Sequence, residues 1–296
     1  MSAKNILHVL STGPFASPFD INMALDAGFD AVIPQVNVTL QDVVPLVQDA
    51  MFSRSPQDAV RTGIFLAGKD AVLALDMLAA AKSALFPPFE ISLFADPAGS
   101  FTTAAAMVAC TETLLGKKKR TLKGLRVVVF GATGVVGFSC AVIAALEGAQ
   151  VTLAGYDGAE RVGRSAAEMG RRFGIEVHAA DASTEALKSR LLGLAEAVFC
   201  AGRAGLQILS AAQIEAAPHL LVAADVNAVA PGGIEGLGLT DDGVQLGAGP
   251  VLGLGPLAIG NVKYQTQAGL FRAMTSATAA QSYDFRDAFK LARTLA

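Results

Sequence analysis

The stretch that most constrains this chain is Leu125-Arg126-Val127-Val128-Val129-Phe130, which runs straight into Gly131-Ala132-Thr133-Gly134-Val135-Val136-Gly137. A nearly continuous apolar run is the mark of a strand covered on both faces. Glycines that follow it and lead into a helical pattern describe a tight strand-to-helix turn. Gly131 permits the turn, Gly134 lets backbone amides at the helix N-terminus approach an anion, and Gly137 lets the helix lie close on the strand. In this context the pattern is the pyrophosphate cradle of a dinucleotide-binding domain. The spacing, Gly-x-x-Gly-x-x-Gly, is one residue longer at its start than the usual form. Thr133, Val135 and Val136 lie within the same cradle and are assigned to the cofactor with the three glycines.

The next strand ends Val151-Thr152-Leu153-Ala154-Gly155-Tyr156-Asp157, about 20 residues beyond the turn, where a carboxylate meets the adenosine ribose. Asp157 is placed to accept from the ribose hydroxyls, which favours NAD. Arg161 and Arg164 on the following helix soften the repulsion of a 2′-phosphate, so NADP is tolerated. The competing role for Asp157 is that of a helix cap. Tyr156, Arg161, Ala201, Asp225 and Asn227, all beside strand ends, complete the cofactor assignment.

A chain of 296 residues exceeds one ordinary domain of about 100–200 residues, and the strand–helix alternation occurs twice. Before the glycine turn, Asn5–Leu10, Ala31–Pro34, Gly63–Ala67 and Ile91–Phe94 read as strands, with helices near Asp42–Ala50, Asp70–Leu85 and Thr102–Leu115. After it, strands at Gln150–Ala154, Glu176–Ala180, Ala197–Cys200 and Leu220–Ala224 alternate with helices. The expectation is a two-domain α/β protein: an N-terminal α/β substrate domain over residues 1–121, with 262–296 packing back on it, and a Rossmann-type NAD(P)-binding domain with a parallel sheet over 122–261. The Gly- and Pro-rich segment from Pro231 to Gly260 reads as irregular, lining a site or joining domains. A second substrate is expected in the cleft between the domains.

Charge and cysteine usage narrow the class. The net charge is −3 and the longest basic run is Lys117-Lys118-Lys119-Arg120, too little for a nucleic-acid footprint; the run suits a helix end or a solvated turn. Cys110, Cys140 and Cys200 are odd in number and sit in apolar contexts, so they read as buried reduced thiols in a cytoplasmic protein. No apolar run reaches the roughly 18 residues that span a bilayer, and the first residues lack a signal-peptide core. No metal site is read.

Four segments together resemble the bacterial methylene-tetrahydromethanopterin dehydrogenases: residues 96–106 (Asp-Pro-Ala-Gly-Ser-Phe-Thr-Thr-Ala-Ala-Ala), the glycine turn at 131–137, Ala224-Asp225-Val226-Asn227-Ala228, and Leu257-Ala258-Ile259-Gly260-Asn261-Val262-Lys263. The resemblance spans nearly the whole chain and is closest to the branch accepting NAD as well as NADP, because the strict NADP branch carries a basic pair where Tyr156-Asp157 stands. It implies oxidation of the methylene pterin to the methenyl form in formaldehyde oxidation, by a cytoplasmic homo-oligomer without metal.

That chemistry agrees with the residues. The hydride leaves a carbon between two nitrogens and the resulting cation is delocalised over both, so no proton is removed. A Tyr-x-x-x-Lys pair is missing, the glycine turn is far from the start of the chain, and His8, His178 and His219 lie in or beside predicted strands; none offers an obvious general base. Orientation of two rings carries most of the rate. Carboxylates near the developing cation assist, and the candidates are Asp20 and Asp96, each alternatively a helix cap. Lys263 matches a lysine of the family pattern and is assigned positioning, since a positive charge beside a growing cation is unfavourable. Phe15, Phe19 and Phe101 are candidates for stacking on the pterin, or core. Arg54, Arg61 and Lys69 are candidates for an anionic substrate tail, or solvated. Two other readings compete: a methylene-tetrahydrofolate dehydrogenase, and a non-catalytic dinucleotide-binding redox sensor.

Overall fold

The computed structural model describes residues 3–296. In chain order the elements are β1 (Ile6–Ser11), α1 (Pro18–Asp26), β2 (Ala31–Gln35), α2 (Val43–Phe52), α3 (Pro56–Ala59), β3 (Thr62–Ala67), α4 (Ala71–Ala84), β4 (Ser92–Ala95) and α5 (Ser100–Lys117). There follow β5 (Arg126–Phe130), α6 (Val135–Leu146), β6 (Gln150–Gly155), α7 (Ala159–Phe173), β7 (Val177–Asp181), α8 (Glu185–Leu192), β8 (Ala197–Cys200), α9 (Ala211–Glu215) and β9 (Val222–Asp225). The chain ends with β10 (Asp242–Gln245), β11 (Leu252–Leu254), α10 (Pro256–Thr275), β12 (Ser282–Tyr283) and α11 (Phe285–Ala292).

Two compact units emerge from the contacts: Met1–Thr102 with Tyr264–Leu291, and Thr103–Lys263 with Ala292–Ala296. The divisions fall inside α5 and α10, whereas the sequence suggested loop boundaries at 121/122 and 261/262. Beyond Thr102, α5 packs on α6: Cys140 Sγ lies 3.6 Å from Met107 Sδ. The last residues are held there too, because Arg293 bonds Glu112 at 2.6 Å and Glu147 at 2.5 Å.

In the first unit the sheet order is β12-β4-β3-β1-β2, with every pair parallel. All six residues of β3 are buried, as a central strand with helices on both faces requires. Phe65 is the hub of the core, 5.2 Å ring to ring from both Phe94 and Phe271. Because β12 and Phe271 come from the far end of the chain, this core closes only when residues 264–291 return to it. α1 escaped the sequence reading although Ser17-Pro18 is a helix-start signature; Ser17 is its N-cap.

The second unit holds a seven-stranded sheet, order β10-β11-β9-β8-β5-β6-β7. From β5 the chain winds outward through β6 and β7, then returns to build β8, β9 and β11 on the other side of β5. The sheet is thus mixed α/β and resembles dinucleotide-binding folds. Six strands are parallel, and β10 is antiparallel to β11, a hairpin edge that the expectation of a purely parallel sheet did not include. The Gly- and Pro-rich segment is correspondingly less irregular than read: it contains β10 and β11, and α10 opens within it at Pro256. Short strands rich in glycine carry too little β-propensity to be seen in sequence. The basic run lies at the end of α5, where Lys118 donates to the Pro250 carbonyl at 2.6 Å. Cys110, Cys140 and Cys200 are buried free thiols, and burial pushes Cys110 up to about 12.

Candidate functional site

A pocket of about 520 Å³ lies in the second unit at the carboxyl ends of β5 and β8. Here the winding reverses, which is where open α/β sheets bind ligands. Its volume falls within the range of small-molecule sites. Gly131 adopts a φ of 79°, and a Cβ there would collide with the Ala201 carbonyl. A Cβ on Gly137 would sit 2.5 Å from the Gly131 carbonyl oxygen. The two glycines therefore allow β5, the β8 loop and α6 to converge. Gly134, the N-cap of α6, differs: its missing side chain faces mostly open space, with only the Gly131 oxygen near, at 3.3 Å. No side chain caps α6, so the amides of Val135, Val136 and Gly137 are left to an anionic ligand. The cradle fits a pyrophosphate.

Gly131, Thr133, Gly134, Tyr156, Arg161 and Ala201 line this pocket. Val135, Val136 and Gly137, the first residues of α6, are not among the lining residues. At the end of β6 the exposed Tyr156 ring carries the Arg161 guanidinium 4.7 Å from its centroid. Arg161 Nε lies 3.1 Å from Asp157 Oδ2, off the hydrogen-bond line. Asp157 is not a cap for α7: Gly158 is the N-cap, and the helix has no side-chain cap bond.

Asp225 and Asn227 lie elsewhere and organise a loop. The buried Asp225 carboxylate accepts from the amides of Asn227 (3.0 Å), Gly233 (2.6 Å) and Ile234 (3.3 Å). Asn227 accepts from the Gly205 and Val229 amides and donates to the Pro231 carbonyl. Burial nevertheless raises the Asp225 pKa above the ordinary carboxylate value. Sequence reasoning missed Gly155, Lys188, Arg203 and Ile208, which also line the pocket. A Cβ on Gly155 would strike the Gly158 carbonyl. Cys200-Ala201-Gly202-Arg203, at the end of a strand beside the reversal, was the available signal for Arg203. Lys188 is already engaged, with Glu185 at 2.8 Å and the Ile208 carbonyl at 2.9 Å.

A second pocket, about 360 Å³, belongs to the first unit and occupies the corresponding place, at the carboxyl ends of β1 and β3 where that sheet reverses. It is lined by Thr12, Gly13, Phe15, Asp20 and Lys69 among others. Asp20 is buried at 3% exposure, and Gln267 Nε2 donates to its Oδ1 at 2.7 Å. Asp96 is not among the lining residues. It closes the N-terminus of α5, accepting from the Phe101 amide (2.8 Å), the Thr102 amide (3.2 Å) and the Thr102 hydroxyl (2.7 Å). Lys263, on α10, is half-buried and lines neither of the two pockets.

Phe101 is core, fully buried and edge-on to Phe285 at 5.3 Å. Phe15 and Phe19 are exposed, and Lys69 Nζ lies 6.0 Å from the Phe15 centroid. Arg54 and Arg61 are absent from the lining of this pocket. His8 is half-buried in β1, 3.4 Å from Gln35, and its pKa is lowered by burial and then by Arg54; His178 and His219 are exposed. Among the described residues, no three His, Cys, Asp or Glu side chains group as metal ligands, and no helix is long and apolar enough to cross a membrane.

Comparison with known proteins bears on both pockets. Residues 18–98 match the family model described as methylene-tetrahydromethanopterin dehydrogenase, N-terminal. The chain is 53% identical over 295 residues to the NAD(P)-dependent methylenetetrahydromethanopterin dehydrogenase of Methylorubrum extorquens, covering 99% of each chain. It is 31% identical over 294 residues to bifunctional protein MdtA of the same organism, covering 99% of this chain and all of that one. Among solved structures, the NAD-dependent malic enzyme of Thermotoga maritima shares the fold with a TM-score of 0.60 at 14% identity, over 98% of this chain and 84% of that one. Full-length identity above one half, with the N-terminal match, establishes that this chain belongs to the methylene-tetrahydromethanopterin dehydrogenase family.

Proposed function

We propose that this protein transfers a hydride from 5,10-methylene-tetrahydromethanopterin to NAD or NADP, giving the methenyl pterin, and that it does so as a two-domain enzyme with a Rossmann-type cofactor domain. The full-length 53% identity to a dehydrogenase of that name carries the reading. The glycine cradle supports it, because Gly131 and Gly137 exclude a side chain and so let strand, loop and helix converge as a pyrophosphate site requires. When bound, the nicotinamide supplies the hydride acceptor.

The chain's own residues bind and orient. The α6 amides hold the pyrophosphate, Tyr156 and Arg161 wall the adenosine end, and Asp157 accepts from the ribose. Pocket geometry adds Arg203 from the β8 loop. In the first unit the pocket at β1 and β3 takes the pterin. Asp20 offsets the charge that develops on the carbon between the two nitrogens, and a fixed carboxylate in a buried setting is effective there. Lys263 is proposed as a positioning residue. Asp96 contributes by holding α5, which makes its part in the reaction indirect. No general base is needed, since the donor carbon loses a hydride and no proton. Three buried thiols support a reducing cytoplasmic setting, and a homo-oligomer is the assembly proposed.

The test is cofactor reduction with purified protein and two carriers. Turnover is expected on methylene-tetrahydromethanopterin with both NAD and NADP, exceeding that on methylene-tetrahydrofolate. Absence of turnover on the methanopterin carrier would falsify the proposal, and a preference for the folate would move the substrate.

A further inference from the structure

An enzyme that accepts both cofactors must solve an electrostatic conflict at one atom. NAD presents a ribose 2′-hydroxyl, which favours an acceptor. NADP presents a phosphate monoester carrying about −1.5 to −2 charges, which requires donors. At the end of β6 this chain places both kinds of group and ties them to each other.

Arg161 Nε stands 3.1 Å from Asp157 Oδ2 on the first turn of α7, and the guanidinium is laid across Tyr156 at 4.7 Å. The Arg161 side chain remains 38% exposed. Nε, although buried, makes no in-line hydrogen bond. The guanidinium is therefore held by stacking and charge rather than by a hydrogen bond through Nε, and part of it faces solvent. Asp157 leaves 41% of its side chain in solvent, so water is at hand to take the carboxylate when Arg161 changes partner. The other cations nearby are less suited: Arg164 is paired with Glu160 at 2.6 Å and is outside the pocket lining, Lys188 is engaged as above, and Arg203 enters from the β8 side.

We propose that the Asp157–Arg161 pair is an exchangeable ion pair that sets dual cofactor use. With NAD the pair stays closed: Arg161 neutralises Asp157, whose second oxygen accepts from the ribose hydroxyls. With NADP the 2′-phosphate replaces the carboxylate as the partner of Arg161, taking charge-assisted bonds from its fork, and Asp157 turns into solvent. In neither complex does the ribose face an uncompensated charge. This rests on the second-unit pocket being the dinucleotide site.

The experiment titrates NADH and NADPH by their fluorescence into wild type, Arg161→Gln and Asp157→Asn, with thermal melting as the check on folding. Arg161→Ala is the second variant should the glutamine fail to fold. Loss of a charge-assisted contact is expected to weaken NADPH about 10- to 100-fold in Arg161→Gln, with NADH changed less than about threefold. Asp157→Asn is expected to weaken NADH and tighten NADPH. Raising ionic strength lowers NADPH affinity relative to NADH in wild type, and this difference shrinks in Arg161→Gln. Equal weakening of both cofactors by Arg161→Gln, or a greater loss for NADH, overturns the exchange and leaves the pocket assignment standing. Unchanged affinity for both cofactors in both variants overturns the pocket assignment as well.

Discussion

The two units each place a pocket where the winding of their sheet reverses, yet the pockets are made from different material. The one at β5 and β8 is a backbone object: two glycines that tolerate no Cβ bring strand, loop and helix together, and an uncapped helix turns its amides outward. The one at β1 and β3 is a side-chain object, built around a buried carboxylate tied to an amide 247 residues away. A backbone cradle suits a ligand group shared by many cofactors, because amides recognise any phosphate. A side-chain pocket suits one particular substrate, because its groups define shape and charge together.

Substitutions that separate the two constructions should separate their losses. The largest effect is expected for Gly137→Ala. The new Cβ meets the Gly131 backbone, forcing α6 outward at a strain of about 1–3 kcal/mol, and misplaced amides weaken NADH roughly 100-fold. Binding of the pterin by the first unit is unchanged; NADH titration that matches wild type would remove the cradle from cofactor binding. Asp20→Asn is expected to lower kcat/KM for the methylene pterin about 30-fold while leaving NADH affinity intact. A loss confined to NADH would show that the first-unit pocket is not the pterin site.

Asp225 probes the loop that follows β9, outside the pocket lining. Asp225→Ala strips acceptors from three amides and is expected to cost about 1–3 kcal/mol in urea unfolding. Because burial raises its folded pKa, the group's stabilising contribution is full below the ordinary carboxylate pKa and declines as pH rises through the raised value. Unfolding free energy measured upward from about pH 4 should therefore shift in favour of Asp225→Asn relative to wild type, and a flat difference would show that Asp225 has no raised pKa. The smallest effect is assigned to Phe15→Ala. This ring is 63% exposed and its removal should change the pterin KM less than about threefold, the loss of one partly open apolar contact. A tenfold rise in KM would make it a stacking platform.

Legibility in sequence followed the same division. Gly131 and Gly137 are demanded by local backbone geometry, so their spacing carries the cradle in seven consecutive residues. Tyr156 was assigned from its place after the strand and Arg161 from the helix that follows, and both line the pocket. Asp225 and Asn227 also sit at a strand end, but their polar atoms face amides of their own loop, and nothing in a sequence tells which way a carboxylate turns. Asp96 was ambiguous for the same reason, and three bonds to α5 decide it. Gln267 left no sign because its partner is distant. Arg203 and Lys188 passed unnoticed because a cation on a helix or loop is ordinarily solvated.

What the sequence by itself determined is whatever depends on neighbours along the chain: the alternation of strand and helix, the glycine turn and the family. Tertiary structure decided whatever depends on neighbours in space. It set the strand orders that place both reversals, added the antiparallel β10, recruited the far end of the chain to the first sheet and joined Asp20 to Gln267. Local sterics and hydrogen bonding act over a few residues and leave periodic marks, whereas packing joins residues hundreds of positions apart and leaves none that one sequence can display.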